Sequence, residues 1–190
     1  MKHYWQTVLT LLLLTATVPV SAAEMIIERS ALQQALTEQV FKDRGRYWLV
    51  RGGCPAYLTE HQVQLVAGRL QIRAKLIGKL GVDLGNDCMG IDVNPVLTVS
   101  GLPVGRGSEI LLTNISIDRV EHEMADVIKP VLQRALPKAI SFDLTPTIQQ
   151  GLDQARAQGW ALSLDQFEFD QVIVLDDAIL TSLNLKLRAR

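Results

Sequence analysis

Histidine is the side chain best suited to moving protons near neutral pH, and the only ones beyond position 23 are His61 and His122. Serine-histidine-aspartate chemistry would need one of them as its base. His61 opens the alternating segment His61-Gln-Val-Gln-Leu-Val66, while His122 stands between Glu121 and Glu123 at a predicted helix start, where a solvated cluster is the ordinary outcome. Glu121-His122-Glu123 does not make a metal site, because neighbours on a helix point in different directions, and the His-Glu-x-x-His pattern is absent. Asp176-Asp177 reads as a turn rather than as a paired acid and base. These residues lead us to assign no catalytic group, no metal and no cofactor, and to expect a protein that is not an enzyme.

Cys54 and Cys88 are the only cysteines. The start of the chain bears on their fate: Lys2, an apolar run from Val8 to Val18, then Pro19 and Ser21-Ala22-Ala23 have the form of a secretory signal peptide over residues 1–23, with cleavage near Ala23. The run is shorter than the roughly 20 residues that span hydrocarbon. No cysteine follows it, so a lipid anchor is not indicated. Export leads to an oxidising compartment, periplasmic or secreted, where Cys54 and Cys88 form a disulfide. Closing that loop adds about 4 kcal/mol on chain-entropy grounds. A zinc site shared with His61 and His122 is the alternative, but the spacings match no zinc pattern.

Residues 24–190 suffice for a single domain. Lys and Arg number 19 against 20 Asp and Glu, and the leader holds only Lys2 of these. Nucleic acid requires a basic stripe to displace counterions, which this balance does not supply.

The elements that position these residues follow from hydrophobic period. From Glu24 to about Arg44 the apolar residues Ile27, Ala31, Leu32, Ala35, Leu36, Val40 and Phe41 recur at helical spacing, ending at Gly45. A loop around Cys54 follows. Its Tyr47 and Trp48 suit either the end of the core or a peripheral membrane contact. From His61 the period becomes two: Val63 and Leu65, a turn at Ala67-Gly68, then Leu70, Ile72, Ala74 and Leu76. Glycines between Gly78 and Gly90 suggest a loop, after which Ile91–Leu102 and Glu109–Val120 form another hairpin. Met124, Val127, Ile128, Val131, Leu132, Ala135 and Leu136 make a helical stripe bent at Pro130, with Asp118 as its cap, and Thr145-Pro146 restarts helix. A last hairpin turns at Asp176-Asp177, and Leu183, Leu185 and Leu187 form its dry face.

Six half-dry strands and one apolar helical stripe need each other. The expected fold is therefore α+β: a curved antiparallel β-sheet wrapped around a long, bent central helix, with an N-terminal helix. Its lining would be aliphatic and suited to acyl chains. The run His61-Gln-Val-Gln-Leu-Val-Ala-Gly-Arg-Leu-Gln-Ile-Arg-Ala-Lys-Leu-Ile-Gly78, with the later hairpin, the Met124–Leu136 stripe and the closing strands, resembles the tubular lipid-binding (TULIP) proteins, most closely small bacterial YceB-like periplasmic members. The resemblance implies a long helix in a rolled sheet, an apolar groove and a periplasmic or outer-membrane setting. The family's lipidation cysteine is missing here.

The functional expectation is an exported periplasmic binding protein holding a lipid or other apolar small molecule between sheet and helix. Its expected ligand-binding residues are Leu70, Ile72, Leu76, Val127, Val131, Leu183 and Leu185. The alternative is a non-catalytic envelope scaffold with a protein partner, docking on an exposed apolar patch near Tyr47, Trp48 and Tyr57.

Overall fold

A computed structural model describes residues 23–85, 87–159 and 162–189; the expected leader, residues 1–22, lies outside them. The chain runs β1 (Ala23–Glu28), α1 (Arg29–Ala35) continued by a π-helical turn (Leu36–Val40), β2 (Tyr47–Val50), β3 (Ala56–Val66), β4 (Arg69–Asp83), β5 (Cys88–Val93), β6 (Val96–Arg106), β7 (Glu109–Glu121), α2 (Ala125–Ala135), β8 (Ile140–Asp143), α3 (Thr145–Ala157), β9 (Leu162–Val174) and β10 (Ala178–Ala189). One antiparallel sheet has the order β2-β3-β4-β6-β7-β8, with β5 also on β4, and the other has the order β1-β10-β9.

The hairpins form where the alternation places them. Ala67 and Gly68, at φ 50° and 77°, supply the two left-handed residues of a tight turn between β3 and β4. Register shifts in β3 around Glu60 and between β6 and β7 beside Asn114, both residues at positive φ, are bulges that bend and twist the ribbon. They curl the larger sheet around its dry face. The sheets meet at β6 and β9. A Cβ at Gly105 would collide with the Phe169 side chain, so only glycine permits this approach, and Phe169 N–H donates to the Gly107 carbonyl at 2.9 Å.

Among the described residues there is no long central helix. β7 continues to Glu121, so Asp118 is a strand residue rather than a helix cap, and α2 is 11 residues long. Pro130 lies inside α2 without ending it; the helix stops because Leu136 precedes Pro137 and takes extended angles, as a residue before proline tends to do. Ile128 and Leu132 are buried, whereas Val127 and Val131 are 65 % and 47 % exposed. The helix thus lies along the sheet's flank. The core is filled instead by Leu32, Ala35, Leu36 and Phe41 from the α1 segment, by Phe142 and Leu144, and by Phe167, Phe169, Ile179 and Leu183 of the smaller sheet.

The N-terminal helix is also shorter than expected. Met25-Ile26-Ile27 favours the extended backbone, as β-branched residues do, and pairs in register with Leu180 and its neighbours on β10. The glycine-rich stretch is strand rather than loop: Gly81 opposes Gly90, where a Cβ on either would strike the other strand's backbone. Tyr47–Val50, expected as loop, pairs with β3.

Three glutamine amides imitate a strand on otherwise open backbone. Gln33 accepts from Val63 N–H and donates to the His61 carbonyl, Gln39 does both to Asp143, and Gln133 accepts from Ile117 N–H and donates to the Ile115 carbonyl. Each satisfies a donor and an acceptor that the ladder leaves unpaired.

Candidate functional site

The junction of β1 and α1 is flanked by two grooves that share Ile26, Glu28 and Ser30. β1 is held by its ladder to β10 and by Arg29 N–H donating to the Asp177 carbonyl at 3.1 Å. α1 is held by buried Leu32 and Ala35 and by the Gln33 amide on β3. The first groove, about 710 Å³, carries mostly polar residues, with Arg29, Ser30, Gln33, Gln62, Gln64 and Asp177 on its walls. The second, about 400 Å³, runs between β1 and α3 and is mostly apolar: Met25, Ile26, Ile27, Ala31, Leu144, Ile148 and Leu152 line it.

Local chemistry fixes the apolar groove's far wall. Asp143 Oδ1 accepts from both the backbone N–H and the hydroxyl of Thr145, starting α3, and Pro146 needs no donor in the first turn. The N-cap position is Leu144, so the oxygen on the first helical N–H comes from Asp143, one residue earlier. No residue of α3 is buried, so Ile148 and Leu152 turn an incompletely covered face to the groove, and nothing lies within 4 Å of where a Gly151 Cβ would stand. The volume falls in the range of small-molecule sites.

The expected lining residues lie elsewhere. Leu70, Ile72 and Leu76 on β4 and Leu183 on β10 meet in the core, each 5 % exposed or less. Val127 and Val131 point away from it. Leu185 belongs to β10, but its side chain lies outside the described residues. Neither groove touches any of them. Sequence reasoning misses Met25 and Ile26 because it makes them helical. It identifies Ile148 and Leu152 as an apolar face without finding what that face meets.

Both described histidines are engaged by neighbouring groups. His61 stacks on Phe41 with ring centroids 3.8 Å apart, and its Nε2 lies 2.9 Å from Thr37 Oγ1. The Thr37 hydroxyl gives its hydrogen to the Gln33 carbonyl, so Nε2–H is the donor to Thr37. Burial holds the His61 imidazole below its ordinary pKa. His122 Nδ1 accepts from Met124 N–H and stabilises the turn ahead of α2. Ser100 is buried beneath Arg69, accepts from its Nε and donates to Asp118, a cross-link of β4, β6 and β7 at the curl. Among the described residues no group of three or more His, Cys, Asp or Glu could hold a metal ion.

Cys54 and Cys88 form the expected disulfide, with Cα atoms 4.9 Å apart, consistent with maturation in an oxidising compartment. Among the described residues no helix is long and apolar enough to cross a membrane. The aromatic patch is not bare: Arg46 lies over Tyr57 and Arg51 over Trp48, and the two rings lie 5.0 Å apart. No family model and no curated protein matches the chain.

Proposed function

We propose that the protein is an exported, periplasmic binding protein for a small apolar ligand such as an acyl chain, held between β1 and α3. The supporting observation is the apolar groove itself: an aliphatic trough whose helical wall has no buried residue and an open space over Gly151. The groove is not a hollow around a central helix, since α2 is only 11 residues long and the dry face of β4 from Leu70 to Leu76 is packed. Its analogy to the TULIP proteins concerns the order of hairpins and leaves the ligand unspecified. The neighbouring polar groove, with Arg29, Gln33 and Asp177, suits a ligand's polar end.

Binding of a fluorescent fatty acid to the mature, disulfide-bonded protein, compared with a Gly151→Trp variant, tests this. Saturable binding that Gly151→Trp weakens about tenfold without lowering the melting temperature is the expected result, since the indole fills the space an apolar ligand would occupy. Equal binding by both proteins, or none by either, overturns it. A second reading, an envelope scaffold with a protein partner, is favoured by a different surface: Val82, Leu84, Met89 and Ile91 on the β4–β5 hairpin are each at least half exposed.

A further inference from the structure

The β4–β5 hairpin carries the sheet's dry face out of the protein. Leu70, Ile72, Ala74 and Leu76 are buried, and Leu80 and Val82 follow in the same alternation, directly opposite Ile91 and Met89. Leu80 still touches the core, whereas Val82 and Met89 are 59 % and 67 % exposed. The hairpin is fixed in place. Cys88 is tied to Cys54, Asp83 accepts from Gly53 N–H, and Lys79 N–H donates to the Pro55 carbonyl.

That last bond defines a second feature. Lys79 turns its N–H away from β5, so Lys79 and Asp92 are a pair whose backbone groups point apart, and Cys88, Gly90 and Asp92 turn theirs away from β4. Among the described residues β5 pairs with β4 alone. The hairpin therefore combines an apolar face with a strand edge whose N–H groups are open at Gly90 and Asp92, a template for another strand. Among the described residues no glutamine amide reaches this edge, unlike β3, β7 and β8.

We propose that a second copy of this chain occupies this edge, pairing its β5 antiparallel with β5 about a two-fold axis at Gly90. In that register Gly90 N–H meets the partner copy's Gly90 carbonyl in both directions, and Asp92 N–H meets the Cys88 carbonyl. Cys88 N–H is already engaged by Asp87 Oδ1. Met89 stands opposite Ile91, Asp92 opposite Cys88 and Asp87 opposite Val93, so the apolar faces merge and no like charges oppose each other. Such a contact is self-complementary, as a two-fold interface must be. An anionic membrane suits the surface less well, because Asp83, Asp87 and Asp92 outnumber Lys79 on this hairpin. The ribbon shares no residue with either groove, so this inference does not depend on ligand binding.

Sedimentation of the intact, disulfide-bonded protein over a concentration series is the test. The wild type should show a concentration-dependent dimer, and Met89→Lys or Ile91→Glu should each weaken it about tenfold by placing a charge in the apolar contact. Both sites are exposed, so the variants should keep the melting temperature of the wild type. An equimolar mixture of the two should dimerise more tightly than either alone, because the Lys faces the Glu only in this register. A monomer at every concentration, a dimer indifferent to both substitutions, a protein partner that leaves this edge unpaired with itself, or a mixture no tighter than its components overturns the proposal.

Discussion

The two halves of β4 have similar side chains and opposite surroundings. From Leu70 to Leu76 its alternate residues are buried in one core with residues of the α1 segment and the smaller sheet; from Leu80 to Val82 the same face emerges into solvent. Alternation tells which face of a strand is dry, and it does not tell how far the cover extends. That is settled by whichever segments fold over it. Here these are the buried residues of α1, Phe142, Leu144 and the β9–β10 phenylalanines and leucine, rather than one long helix.

Replacing Cys54 and Cys88 by serine should cost about 4 kcal/mol in urea unfolding. In the same variant, amide exchange should show Val82 and Met89 losing protection before Ile72 does, since the tether holds the hairpin directly and Ile72 lies in the packed core. At the covered end, Leu76→Ala should cost about 3 kcal/mol, whereas Val82→Ala on the same face should stay within about 0.5 kcal/mol. Equal costs would mean that the hairpin's apolar face is covered too.

Edges sharpen the contrast. Gln33→Leu should cost about 1–2 kcal/mol, because Val63 N–H and the His61 carbonyl lose their partner in a half-buried place. The smallest effect expected is that of pH. Burial lowers the folded-state pKa of His61 below its unfolded value near 6.5, so its neutral form favours the fold above that pH, and this contribution is lost as pH falls through the folded value. A melting temperature that declines from pH 7 to 5 less steeply in His61→Gln than in the wild type is the expected result.

The hairpins, the Ala67-Gly68 turn and the disulfide are legible because each follows from a local rule: period two, positive φ or the pairing of two cysteines. The central helix is not. Met124 to Leu136 has an apolar stripe broad enough to bury, yet only its Ile128 and Leu132 side meets the sheet. Leu136 before Pro137 shortens the helix, a signal that is present in the sequence. The glycines at 81 and 90 suggest a loop because a sequence does not show what a missing Cβ makes room for. Gln33, Gln39 and Gln133 have the look of solvated positions, since their partners are distant backbone groups that no local pattern reveals. The groove is half legible: Ile148 and Leu152 stand out as an apolar face, and β1 as its opposite wall does not.

The most direct measurement is a methyl NMR titration of the mature protein with a series of saturated fatty acids. Shifts concentrated at Ile26, Ile148 and Leu152 are expected, with affinity falling about fourfold for each methylene removed, the equivalent of ~0.8 kcal/mol. Shifts concentrated at Leu70, Leu76 and Leu183, or no saturable shifts at any chain length, would contradict binding between β1 and α3.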